Sequence, residues 1–185
     1  MTDPILQLFI PAIMLVAIWL VIFWKKTRKG IRVIDTSPSL GKEMEYKRIK
    51  KGNFLFWIIF YVFGIMTIIY SIIPELYYIF FPLDMFHKPV INVIGLLLMK
   101  IAIVWIIIAQ IKIDKELNKI SNKAQSLSPM GLVQYSERML LTGILVLFIG
   151  LFTTITNLIG MVLVVFGIAI YLYLFCLNNK SLFKN

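Results

Sequence analysis

Five runs of apolar residues dominate the pattern of this chain, and short polar stretches separate them. The runs cover residues 5–24, 54–73, 90–111, 139–155 and 158–177. A helix of about 20 residues crosses roughly 30 Å of hydrocarbon, so this pattern predicts five transmembrane helices. The last two runs are separated by little more than TTITN, residues 153–157. This spacing predicts that they form a tight helical hairpin of neighbouring helices.

Composition supports a membrane protein and excludes a soluble one. The chain has 185 residues, and 60% of them are hydrophobic, which is more apolar surface than one soluble core of this size could cover. We therefore predict an all-α integral membrane protein with residues 1–185 forming a single transmembrane domain. The net charge is +10, but the basic residues flank apolar runs. Anionic lipid headgroups are their nearer partner, so we do not expect nucleic-acid binding.

The distribution of basic residues predicts the orientation, because positive residues near span ends stay in the cytoplasm. Seventeen of the nineteen Lys and Arg residues lie in the first and third loops or after the last run. On the opposite side there is only Lys88, and the remaining one, Lys100, lies within a run. We predict the N-terminus outside and the C-terminus in the cytoplasm. Lys-rich and Ile-rich usage with one cysteine suggests a prokaryotic plasma membrane.

Lys100 interrupts the third apolar run near its middle. A lysine at that depth costs about 2.5–3.5 kcal/mol on insertion scales, so something should offset it. At 100° per residue, Asn92 and Gln110 share one direction and Lys100 lies about 80° from it. We therefore expect a polar face, formed by Asn92, Lys100 and Gln110, that points into the protein. Lys100 has three open roles: interhelical bonding or snorkelling, contact with a partner subunit or lipid, and transport or catalysis.

Glycines recur at helical spacing in the terminal hairpin. Gly143 and Gly150 align on the fourth predicted helix, and Gly160 and Gly167 align on the fifth. Small residues let membrane helices approach closely, so we predict that these four glycines are helix-packing positions.

The loops contain little that indicates chemistry. Residues 37–54 predict a turn and a short charged helix running into the second span, with Lys47, Arg48, Lys50 and Lys51 at the depth of lipid headgroups. Aromatic residues in the segment 74–86 predict an interfacial belt. The single His87 with Asp84 is too small a set for a metal site. Cys176 is the only cysteine, so no intramolecular disulfide can form, and we expect it to be buried or in contact with lipid.

One family resemblance concerns the third loop, SLSPMGLVQYSERMLLTG, residues 126–143. With five spans and a terminal hairpin, the chain resembles the isoprenylcysteine carboxyl methyltransferase and phospholipid methyltransferase group. In that group this loop binds S-adenosylmethionine, and Gly131 matches its leading glycine. Val133, Glu137 and Arg138 stand where the group has Tyr and Arg-His, and NNKSLFKN after the last run lacks the group's glutamate pair. The resemblance therefore implies architecture, and we assign no catalytic residue.

Three functions remain open on this pattern. Short loops and a polar face on one helix favour a non-catalytic accessory or structural subunit that packs against other membrane proteins, with the lipid bilayer as its other partner and no cofactor. A divergent membrane methyltransferase would instead bind S-adenosylmethionine near residues 131–138. A small transporter is the third, although transporters usually show paired buried charges or broken helices.

Overall fold

The chain folds as a bundle of helices. The structure, a computed structural model, describes residues 4–23, 40–83, 85, 88–122 and 129–175, and side chains at 6–22, 54–83, 85, 88–115 and 138–175. The helices are α1 (Pro4–Ile18, continued by π-helical Trp19–Phe23), α2 (Leu40–Ile72), a 3₁₀ helix (Pro74–Phe80), α3 (Pro89–Asn122), α4 (Pro129–Ile155) and α5 (Leu158–Phe175). The predicted all-helical class is confirmed for these residues, among which no strand is formed.

Four of the described helices contain segments long and apolar enough to cross a membrane, judged by length and composition. The helix at Leu6–Ile22 is apolar but shorter than these four. The segments that meet the length are Phe54–Ile72, Pro89–Lys115, Arg138–Ile155 and Leu158–Phe175. These helices indicate an integral membrane protein.

The charged sequences beside two apolar runs continue the same helices. The short charged helix predicted before the second span is part of α2, which begins at Leu40 and runs without a break to Ile72. Similarly, α3 continues beyond its apolar part to Asn122. Lys, Glu and Leu are good helix formers, so the helix has no local reason to end where the apolar run ends. Only two residues, Thr156 and Asn157, separate α4 from α5.

The most extensive helix contact is the antiparallel pair of α3 and α4. Glycines of α4 face large side chains of α3: a Cβ on Gly150 would lie 2.7 Å from Met99 Cγ, and one on Gly143 would lie 2.8 Å from Ile106 Cγ1. Further along, Gly95 of α3 faces Thr154, whose Oγ1 occupies the place a Cβ would need. The backbones therefore approach more closely than any larger residue would permit.

The opposite side of α4 packs on α2 through aromatic rings. Phe148 of α4 lies with its ring centroid 5.1 Å from that of Phe63 and 5.9 Å from that of Phe56, both nearly parallel to it. Stacked rings at such distances add to the gain from burial. The bundle is completed by α1, whose Gln7 carbonyl accepts a hydrogen bond of 2.6 Å from Ser71 Oγ of α2. Within the described bundle, α4 contacts α2, α3 and α5, and α2 contacts α1, α4 and α5.

We expect Gly150→Ala to lower the free energy of unfolding by about 1–3 kcal/mol, since the new methyl group would overlap the Met99 backbone nitrogen 2.9 Å away. Unfolding in mixed micelles with a rising fraction of dodecyl sulfate measures the loss. Gly64→Ala is the matched control, because the nearest atom to its Cβ is Met14 Cε at 3.7 Å. Equal stability of the two variants would contradict the close approach of α3 and α4.

Candidate functional site

A cluster of buried polar groups lies at the turn between α4 and α5. Asn157 begins α5 as its N-cap: its Oδ1 accepts a hydrogen bond from the Gly160 backbone nitrogen. Its Nδ2 donates to Tyr77 Oη at 3.2 Å, and that hydroxyl donates in turn to the Ile155 carbonyl. One amide and one phenol thus connect both sides of the turn to the 3₁₀ helix.

The chain that follows the 3₁₀ helix pairs with the same turn. The Leu83 nitrogen donates to the Thr156 carbonyl at 2.9 Å, and the Leu158 nitrogen donates to the Phe81 carbonyl at 3.0 Å. Two residues adopt left-handed backbone conformations to allow this, Phe81 with φ 54° and Thr156 with φ 39°. We call the cluster formed by Tyr77, Phe81–Leu83 and Ile155–Asn157 the turn clasp. Each of its polar groups named here has a partner within the fold, so its evident role is structural.

The three residues of the predicted polar face on α3 do not face the same way. Asn92 and Gln110 are buried, as expected for positions that share one direction. Lys100 is exposed on the outer side of α3. The prediction that Lys100 points into the protein with the other two is therefore not met. Lys100 lies about 80° further around the axis of α3 than Asn92 and Gln110, beyond the side that α4 covers.

Asn92 is buried but makes an incomplete set of hydrogen bonds. It is 9% exposed, and among the described residues its Oδ1 has no hydrogen-bond donor. Its backbone nitrogen donates to the Lys88 carbonyl at 3.2 Å, near the start of α3. A buried amide oxygen without a partner costs about 1–3 kcal/mol, so this position weakens the packing of α3.

Lys100 is surrounded by exposed apolar side chains. Leu97 and Val104, one helical turn before and after it, are 57% and 55% exposed. We call the surface formed by Val93, Leu97, Lys100, Ile101, Val104 and Ile108 the outer face of α3. It is a continuous apolar stripe with one cation in the middle.

The four predicted packing glycines have different neighbours. Gly143 and Gly150 face α3 and not the other helix of the hairpin. Gly167 of α5 does face α4, where a Cβ would lie 3.5 Å from Leu145 Cδ1. Gly160 lies against the Asn157 side chain, which makes it part of the helix cap. Sequence reasoning missed Gly95, although Gly95, Ala102 and Ala109 recur every seventh residue along α3.

Residues 131–138, where a methyltransferase would be expected to bind S-adenosylmethionine, are helical and form part of the first turns of α4. Arg138 places its guanidinium carbon 5.8 Å from the centroid of the Phe175 ring, a cation–π contact between α4 and α5. One turn later Thr142 Oγ1 lies 2.7 Å from Tyr171 Oη. These contacts join the two helices of the hairpin.

Several predicted positions lie outside the described residues. They are Asp84, His87 and Cys176, and the side chains of Lys47, Arg48, Lys50 and Lys51, although the backbone of these last four belongs to α2. In the predicted aromatic belt, Tyr77 is buried in the turn clasp whereas Tyr78 and Phe81 are exposed. Among the residues with described positions, no three His, Cys, Asp or Glu side chains come together in a way that could hold a metal ion.

Comparisons of the chain with protein-family models, with curated proteins and with solved structures find no match.

We expect Tyr77→Phe and Asn157→Ala each to lower the free energy of unfolding by about 1–3 kcal/mol, because each leaves a buried polar group without its partner. The double variant should lose less than the sum, with a coupling of about 0.5–3 kcal/mol. Unfolding in mixed micelles measures all three variants. Tyr78→Phe, at a side chain that is 77% exposed, is the control and should leave stability unchanged. Additive losses would show that the two side chains do not act together.

Proposed function

We propose that this chain is a non-catalytic accessory or structural subunit of a membrane protein complex. The outer face of α3 carries this proposal, since it exposes a mid-span cation on an apolar surface of membrane-spanning length. The described polar side chains of the turn clasp and of the α4–α5 contact bind within the fold. The outer face of α3 is therefore the surface where a partner would gain most binding free energy, by pairing with Lys100.

The proposed topology has five spans, with the N-terminus outside and the C-terminus in the cytoplasm of a prokaryotic cell. Lys88 lies just before the first residue of α3, and Lys112 and Lys115 lie near the other end of its apolar segment Pro89–Lys115. Two basic residues at one end against one at the other favour the cytoplasm for the end with Lys112 and Lys115. In this topology the turn clasp lies at the outer surface, and α1 crosses through its shorter apolar segment, Leu6–Ile22.

Cysteine labelling in intact cells tests this topology. In a Cys176→Ser background, a membrane-impermeant maleimide should label Thr2→Cys and Tyr78→Cys without permeabilisation, because both are expected outside. Ser126→Cys should be labelled only after the membrane is opened. Labelling of Thr2→Cys that follows the pattern of Ser126→Cys would show that α1 does not cross, and the proposed five-span count would be wrong.

Native mass spectrometry of the chain, extracted from its own membranes in a mild detergent, tests the subunit function. We expect a stoichiometric complex with at least one other membrane protein. A lone chain would contradict the proposal. A lone chain with the added mass of S-adenosylmethionine or its demethylated product would instead favour the methyltransferase function and direct attention to residues 131–138.

A further inference from the structure

The depth of Lys100 is set by the length of α3. Its apolar segment Pro89–Lys115 has 27 residues, and Lys100 lies two residues from its midpoint. From Pro89 to Lys100 the helix rises about 16 Å, roughly half the thickness of the hydrocarbon layer. The four-carbon stem of lysine covers only part of that distance, so snorkelling leaves the ammonium group short of the lipid phosphates.

No carboxylate of the chain's own long helices lies at this depth. Phe54–Ile72, Arg138–Ile155 and Leu158–Phe175 contain no Asp or Glu. Asp114 is on α3 itself, fourteen residues and about 21 Å further along the axis. Glu75 belongs to the 3₁₀ helix beyond the end of α2. Among the residues whose side chains are described, no carboxylate is therefore within reach of Lys100 for an ion pair.

A second copy of the chain does not supply the missing acid. Its long helices have the same composition, and a symmetric contact through the outer face of α3 would bring two Lys100 side chains to the same depth. Like charges in this environment repel strongly, so the face disfavours self-association. The complementary occupant is a different protein.

We propose that the outer face of α3 binds a transmembrane helix of another protein, and that an aspartate or glutamate at mid-span in that helix pairs with Lys100. This inference rests on the proposed subunit function and names the chemistry of its partner. Leu97 and Val104 provide apolar contacts above and below the ion pair, and the pairing offsets the cost of burying both charges. The outer face of α3 would then select a partner helix that carries a negative charge at the depth of Lys100.

The test uses a defined probe, because the partner is not identified. Synthetic helices of about 20 leucine and alanine residues carry aspartate, asparagine or leucine at the centre. Energy transfer from a donor on Cys176 measures their binding to the protein in vesicles of phosphatidylcholine. We expect the aspartate helix to bind about five- to thirtyfold more tightly than the leucine helix, as interhelical polar pairs in membranes do.

Variants of the protein test whether the preference for the aspartate helix comes from Lys100. Lys100→Met should abolish it, Lys100→Arg should retain it, and Lys112→Met, near the end of the same apolar segment, should leave it unchanged. Equal binding of the aspartate and leucine helices, equal binding of aspartate and asparagine, or a preference that survives Lys100→Met would each overturn the proposal. In vesicles that also contain phosphatidylglycerol, loss of bound phosphatidylglycerol in Lys100→Met without any peptide preference would overturn it too, since Lys100 would then bind lipid.

The test of the ion pair and the test of the subunit function can give different results. A native complex that persists unchanged in Lys100→Met keeps the function and overturns the pairing. A preference for the aspartate helix in a chain that is extracted alone supports the pairing and overturns the function.

Discussion

The close contact of α3 with α4 determines which surfaces the remainder of the described bundle can use. Gly143 and Gly150 remove side chains from one side of α4, so α3 lies against its backbone. The side of α3 that carries Gly95, Ala102 and Ala109 is buried in this contact. Its opposite side, which includes Lys100, stays exposed. The other side of α4 is then free for Phe148 to stack on α2. Replacing these glycines would move the outer face as well as weaken the packing.

The second constraint is that a helix pair in lipid cannot leave backbone groups unbonded where it reverses direction. Thr156 and Asn157 are too few to satisfy the ends of α4 and α5 by themselves. The chain after the 3₁₀ helix supplies the missing partners, with Leu83 bonding to Thr156 and Phe81 to Leu158. The clasp therefore links residues around 80 with residues around 156, and it places the N-terminal end of α3 beside the turn.

The apolar runs predict the helices well, because length and hydrophobicity decide whether a segment can span a membrane. The spacing of TTITN likewise predicts the α4–α5 turn, which leaves too little chain for anything else. Periodicity within one helix does not say which neighbour it meets, so the sequence does not indicate that Gly143 and Gly150 face α3. The same limit applies to Lys100: the sequence predicts about 80° between it and Asn92, but the width of the buried side of α3 depends on α4. The sequence carries no signal for the role of Tyr77, since its partners, the Ile155 carbonyl and Asn157 Nδ2, lie 78 and 80 residues away along the chain.

Site-specific photocrosslinking in native membranes tests most directly whether the outer face of α3 binds a partner protein. A benzophenone amino acid would replace Val104, which is 55% exposed beside Lys100, or Val165 of α5, which is 62% exposed. The account predicts one discrete protein adduct from position 104, lost in Lys100→Met, and only lipid adducts from position 165. Lipid adducts alone at both positions, or the same protein adducts at both, would contradict it.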